Sequence, residues 1–127
     1  MNQKIPFSKV TVRDGFWKNK QTLNENVTSY AVYDRFSDTH RFDALKCRPC
    51  LEHPDWKPHF FWDSDVAKWL EGVSYILTKH DDPKLRKLSE DAISDMIKSQ
   101  LPEGYYNCYY EVTEQDQRFR GRGNHEL

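Results

Sequence analysis

Two amphipathic segments joined by a short polar connection constrain the fold of this chain more than any other feature. Residues 63–77 and 83–100 each place apolar side chains three or four positions apart, the spacing of one buried helix face. Asp81 or Asp82 can cap the second helix, and Pro83 suits its first position, where its missing N–H leaves no bond unmade. The sequence therefore predicts an antiparallel αα-hairpin. Its apolar positions are Val66, Trp69, Leu70, Val73, Ile76 and Leu77, then Leu85, Leu88, Ala92, Ile93, Met96 and Ile97.

The residues before the hairpin predict three further segments. Residues 1–17 alternate apolar and polar before an Asp-Gly pair, which predicts a short N-terminal strand and a turn. Residues 18–36 show helical spacing. Residues 37–62 hold three prolines without a sustained period, which predicts a long loop, and such loops are usually functional or disordered. In the last part of the chain, residues 104–112 are rich in β-formers and favour an extended segment.

Charge and composition exclude several classes of protein. With 19 basic and 20 acidic residues and a net charge of -1, the chain has no summed positive field to attract nucleic acid. No apolar run approaches the roughly 18 residues that span a bilayer, so we expect no membrane partner. The N-terminus lacks a hydrophobic signal core, and three cysteines make no disulfide framework. These features predict a cytoplasmic location.

The stretch FFWDSDVAKWLEG at residues 60–72 is the candidate binding site. Phe61 or Trp62 could stack on a sugar ring, while Asp63 and Asp65 could accept hydrogen bonds from its hydroxyls. A structural role is equally compatible, because Asp63 or Ser64 can cap the helix and both acids suit its positive end. The spacing of the two acids fixes no carboxyl separation, so it does not by itself indicate a hydrolytic pair.

A second candidate site is the pair Cys47 and Cys50, with His53 and His59 nearby. These residue types can bind zinc, but the spacing differs from that of a zinc finger, where about a dozen residues separate the cysteine and histidine pairs. Zinc binding here stays an alternative. Cys108, which lies between tyrosines, is predicted to be a small buried apolar residue.

Four blocks of this sequence resemble, in order, the N-terminal part of glycoside hydrolase family 127, the β-L-arabinofuranosidases and their relatives. The blocks are VTVRDGFWKNK at 10–20, DSDVAKWLEGVSYIL at 63–77, QLPEGYYNCYY at 100–110 and NHEL at 124–127. The last block looks like a helix start, with an asparagine cap. We therefore expect residues 1–127 to be the N-terminal portion of a single, larger catalytic domain.

The resemblance implies a mainly α fold, a partial (α/α)6 barrel of the six-hairpin glycosidase type, in which residues 18–127 supply part of the barrel. It implies a retaining β-L-arabinofuranosidase that needs zinc, with a zinc-bound cysteine as nucleophile and a separate glutamate as acid and base. In family members those residues lie downstream, so none is placed on this chain and no cofactor is expected in it. The NHEL block places His125 where the family supplies a histidine that contacts substrate.

The sequence thus supports two hypotheses. In the first, the chain is the N-terminal fragment of a glycoside hydrolase whose partner is an arabinofuranoside, with no activity of its own. In the second, it is a small aromatic-rich module that binds a carbohydrate or a protein without catalysis. The resemblance favours the first, and neither fixes the oligomeric state.

Overall fold

The computed structural model describes residues 4–48 and 55–120, and this part of the chain is mainly helical. The helices are α1 (Gly15–Leu23), α2 (Ser29–Asp38), α3 (Arg41–Ala44), α4 (Trp62–Leu77) and α5 (Pro83–Ser99). Short 3-10 turns occupy Phe7–Lys9 and Gln115–Gln117. In the described part, no helix is both long and apolar enough to cross a membrane.

The predicted αα-hairpin is present. Helices α4 and α5 are joined by residues 78–82 and pack against each other, so the hairpin supplies most of the core. The buried cluster includes Leu45, which follows α3, and apolar positions that the helical pattern had identified. These positions are Val66, Trp69 and Val73 of α4, and Leu85 and Ala92 of α5.

Helices α1 and α2 continue each other through one π-helical turn, Asn24–Thr28. The predicted helix over 18–36 is therefore present and begins three residues earlier, at Gly15, whose φ of 75° suits glycine. Trp69 joins this long helix to α4, because its indole Nε1 donates a hydrogen bond of 2.9 Å to the Ser29 carbonyl.

The predicted N-terminal strand is not confirmed. Phe7–Lys9 form a 3-10 turn, and residues 4–48 and 55–120 contain no strand with which this segment could pair. Phe7 instead packs edge-on against Tyr75 of α4, with ring centroids 5.3 Å apart. The extended segment predicted over 104–112 is not confirmed either, because these residues contain no strand and 108–112 form turns.

Where the structure describes the loop predicted over 37–62, between the end of α2 and the start of α4, it forms one short helix, α3. His40 precedes α3 in the left-handed conformation, with φ of 60°, and this reverses the chain so that α3 packs on both α2 and α4. The loop thus delivers Arg41 to the first turn of α4.

Of the two predicted caps of α5, Asp81 and Asp82, the structure shows Asp82. Its Oδ1 accepts a hydrogen bond of 3.0 Å from the Leu85 amide, and its Oδ2 accepts one of 2.6 Å from the Tyr30 hydroxyl of α2. The Leu85 amide, followed by the Tyr30 hydroxyl, lowers the pKa of Asp82 below its usual 3.8. Burial and the contact with Asp82 raise the pKa of Tyr30 to about 12.

Replacing Asp82 with alanine should lower the free energy of unfolding by about 1–2 kcal/mol, because α5 loses its cap. Urea denaturation followed by circular dichroism measures this loss. The lowered pKa means that Asp82 stabilises the fold above its unfolded pKa and ceases to do so as pH falls through its folded pKa. The difference between the two proteins should therefore shrink at acidic pH.

Asp81→Ala is the matched control for this prediction. Asp81 is 83% exposed and only forms an ion pair of 3.5 Å with Arg86, so its loss should cost at most about 0.5 kcal/mol. Equal losses for the two variants would contradict the capping role of Asp82.

Candidate functional site

The first turn of α4 is built differently from the sequence prediction. The helix begins at Trp62, and Phe61 occupies the capping position without a side-chain hydrogen bond to the helix. Asp63 and Ser64 therefore do not cap α4, contrary to the structural interpretation of these residues. Both acids, Asp63 and Asp65, lie inside the first turn, where the free amides of the helix favour negative charge.

Asp63 is buried beneath the site, with 1% of the residue exposed. Its Oδ1 accepts a hydrogen bond of 2.7 Å from the Ser64 amide, and its Oδ2 accepts one of 3.2 Å from the Cys108 amide. Burial raises the pKa of the Asp63 carboxyl, while the two amides act in the opposite direction. The predicted contact between Asp63 and a sugar stays a prediction, and this burial does not favour it.

Asp65 faces the other side of the turn and carries an ion pair that the sequence did not reveal. Its Oδ2 lies 3.3 Å from Nε of Arg41, and its Oδ1 lies 3.8 Å from Nζ of Lys68. The Arg41 guanidinium also donates to Oγ1 of Thr39. It lies over the ring of Trp62, with 5.4 Å between Cζ and the ring centroid.

Arg41, Trp62, Asp65 and Lys68 line part of a pocket of about 460 Å³, here named the α4 pocket. The structure therefore brings together two of the predicted binding residues, Trp62 and Asp65, and leaves Asp63 behind them. Indole, guanidinium and carboxylate are the groups that bind a sugar, because the ring face packs on its C–H bonds while the charged groups exchange hydrogen bonds with its hydroxyls. The residues that line the α4 pocket are Arg41, His59, Phe61, Trp62, Asp65 and Lys68.

A more apolar groove of about 550 Å³ adjoins this pocket, between the long helix α1–α2 and α4. Its lining includes Phe7, Val32, Trp69 and Ile76, and it shares Asp65 and Lys68 with the α4 pocket. Polar side chains such as Gln21 and Glu25 also line it, but its exposed surface is mostly apolar. The α4 pocket combines an indole with a guanidinium and a carboxylate, so it is the better candidate for carbohydrate binding.

Residues 105–113 pack behind the first turn of α4, on the side away from the α4 pocket, and form the back wall of the site. Asn107 is fully buried, and its Oδ1 accepts hydrogen bonds of 3.1 and 3.0 Å from the amides of Tyr109 and Tyr110. Cys108 is fully buried, as predicted, and burial raises the pKa of its thiol to about 12. These side chains therefore order the wall and do not face a substrate.

The alternative zinc site receives no support from the described residues. Cys50 and His53 lie outside them, and residues 4–48 and 55–120 hold no group of three His, Cys, Asp or Glu side chains that could bind a metal. Burial also raises the pKa of the Cys47 thiol, which disfavours the thiolate that a metal requires. His125, the other predicted substrate contact, lies outside the described residues as well.

Comparison with known proteins identifies the family to which this chain belongs. The family model described as "Beta-L-arabinofuranosidase, GH127 catalytic domain" matches residues 9–127. The chain therefore belongs to the GH127 family of glycoside hydrolases.

A curated relative gives a more particular likeness. The chain is 38% identical over 122 residues to a protein from Bifidobacterium longum subsp. longum named non-reducing end β-L-arabinofuranosidase. The alignment covers 81% of this chain and 18% of that relative, so the chain spans less than a fifth of its length. No solved structure matches the chain significantly.

Proposed function

We propose that this chain is the N-terminal portion of a GH127 catalytic domain, which hydrolyses terminal β-L-arabinofuranosides once the rest of the domain is present. The observation that carries the proposal is the family match over residues 9–127. The relative from Bifidobacterium supports the sugar, since its name specifies a β-L-arabinofuranosidase. The alternative of a small binding module is not favoured, because the match extends over nearly the whole chain.

In this proposal the α4 pocket holds part of the sugar. Trp62 offers its ring face, and Asp65 accepts hydrogen bonds from hydroxyls. Arg41 has five N–H donors, and the contacts with Asp65 and Thr39 occupy only some of them, so it can also donate to a sugar oxygen. His125 is a further proposed contact, on the basis of the NHEL resemblance alone.

The fold that we propose for the complete domain is the (α/α)6 barrel. The hairpin of α4 and α5 supports this proposal, because such barrels repeat helical hairpins. The long helix α1–α2, which packs on α4, would belong to a neighbouring hairpin of the same barrel.

Zinc and the catalytic residues are expected elsewhere in the domain. The metal would keep a bound cysteine in its nucleophilic thiolate form. The described cysteines do not fit that role, because burial raises the pKa of the Cys47 and Cys108 thiols and keeps them protonated. No catalytic step is therefore assigned to this chain, and we propose that it is inactive alone. We further propose a cytoplasmic location, with a carbohydrate as partner and neither nucleic acid nor membrane.

The isolated chain provides the first test. Methyl β-L-arabinofuranoside should shift the indole resonance of Trp62 in the ¹⁵N spectrum, while p-nitrophenyl β-L-arabinofuranoside should not be hydrolysed. The indole of Trp17, which is 70% exposed and does not line the α4 pocket, is the internal control and should not respond. Hydrolysis by the chain alone would contradict the proposed inactivity, and unchanged Trp62 resonances at saturating sugar would contradict the role of the pocket.

A further inference from the structure

Asp63 connects two parts of the chain that are 45 residues apart in sequence. One oxygen of its carboxylate binds the Ser64 amide within α4, and the other binds the Cys108 amide in the turns at 105–113. The residue is 1% exposed, and its bond to the Cys108 amide is buried, whereas its bond to the Ser64 amide is partly buried. A charged acceptor that is hydrogen-bonded away from water makes a stronger bond than a neutral one.

The segment that Asp63 contacts is itself ordered by polar contacts, which are buried or partly buried. In addition to the Asn107 bonds within it, Oε1 of Glu111 accepts a hydrogen bond of 3.0 Å from the Asn107 amide. The Tyr106 hydroxyl donates to the Leu45 carbonyl at 3.1 Å, which ties the segment to the chain after α3. Residues 105–113 are therefore ordered by their own contacts, and Asp63 links them to the first turn of α4.

This attachment lies directly behind the α4 pocket. Trp62 precedes Asp63 in the chain and lines the pocket. The Cys108 thiol lies 3.9 Å from the carbonyl oxygen of His59, which also lines the pocket. Phe60 lies between His59 and Trp62 in the sequence and packs edge-on against Tyr109, with ring centroids 6.1 Å apart. The wall made by His59 and Trp62 is thus supported from behind by the segment that Asp63 holds.

We propose that Asp63 is a positioning residue: its carboxylate fixes residues 105–113 against the first turn of α4 and thereby holds His59 and Trp62 in the wall of the α4 pocket. The positioning role stands on the contacts of the chain itself. Its consequence for sugar binding rests on the proposed function. Asp63 acts in this account without touching the sugar.

Asp63→Asn tests the proposal, because the amide keeps the size of the side chain but replaces one acceptor oxygen with a donor. In the full chain, NMR-detected amide hydrogen exchange at Cys108 should become at least about tenfold faster, while exchange at Leu88 and Ala92 of α5 should not change. Affinity for methyl β-L-arabinofuranoside should fall in the same variant.

Asp65→Asn is the matched control, two residues further along the same turn. It should weaken sugar binding and leave exchange at Cys108 unchanged, because Asp65 lines the pocket and does not contact the Cys108 amide. If Asp63→Asn weakens sugar binding without changing exchange at Cys108, Asp63 contacts the sugar directly and the proposal is overturned. If exchange at Cys108 accelerates but neither wild type nor variant binds the sugar, positioning holds and the proposed function fails.

The wild-type chain supplies a test that no folding defect can obscure. Its Cys108 amide should exchange about as slowly as the core amides of α5, since its hydrogen bond is buried. Exchange at Cys108 as fast as at the exposed Glu103 would overturn the proposal without any variant.

Discussion

Replacing Trp69 with alanine is expected to lower the free energy of unfolding by about 3–5 kcal/mol, the usual loss for a large aromatic in a core. Trp69 is only 6% exposed. Its ring lies 5.6 Å from Tyr33 of α2 and 5.5 Å from Phe42 of α3, so it joins three helices at one point. The variant would also leave the buried carbonyl of Ser29 without its indole donor. Urea denaturation followed at 222 nm measures the loss.

Two further variants separate the contributions of Trp69. Trp69→Phe keeps most of the apolar surface and loses the N–H donor, so it should cost less, about 1–3 kcal/mol. Trp17→Ala removes a tryptophan that is 70% exposed and should cost at most about 0.5 kcal/mol. A loss for Trp69→Ala no larger than that for Trp17→Ala would show that Trp69 is not the centre of the core.

The second large effect is expected at Trp62, in a protein that can catalyse the reaction. A chimera in which this chain replaces the aligned segment of the Bifidobacterium relative provides such a protein. Trp62→Ala should lower kcat/KM for p-nitrophenyl β-L-arabinofuranoside by about tenfold or more, because loss of about 1.4 kcal/mol of binding is a factor of ten. The Trp62 ring, with that of Phe61, lines the α4 pocket.

Trp62→Phe is the control for this prediction. It keeps an aromatic face and should retain most of the activity, within about threefold, since about 0.6 kcal/mol corresponds to that factor. Circular dichroism of each chimera separates loss of binding from loss of fold. If Trp62→Ala folds normally and keeps the parent's kcat/KM, Trp62 does not contact the substrate.

The sequence predicted those parts of the fold that depend on neighbouring residues. The hairpin follows from apolar spacing within each helix, and the cap of α5 follows from Asp82 and Pro83, which are adjacent. The aromatic stretch lies at the start of α4, where Phe61 and Trp62 line the α4 pocket, and their contact with a sugar stays a prediction.

What the sequence could not predict depends on contacts between distant positions. Arg41 lies where the sequence shows no sustained period, but in the structure it begins α3 directly after the left-handed His40 and contacts Asp65, 24 residues away. The burial of Asp63 depends on turns at 105–113, which the β-forming composition of that segment concealed. The N-terminal strand is not confirmed for a related reason, since a strand needs a partner strand and residues 4–48 and 55–120 contain none.

The central claim is that this chain is a working part of a β-L-arabinofuranosidase domain, and the parent chimera tests it most directly. Hydrolysis of p-nitrophenyl β-L-arabinofuranoside by this chimera should reach about a tenth or more of the rate of the unmodified relative, since the two segments belong to one family and are 38% identical. A chimera that folds as the relative does and shows no hydrolysis of arabinofuranosides would contradict this proposal.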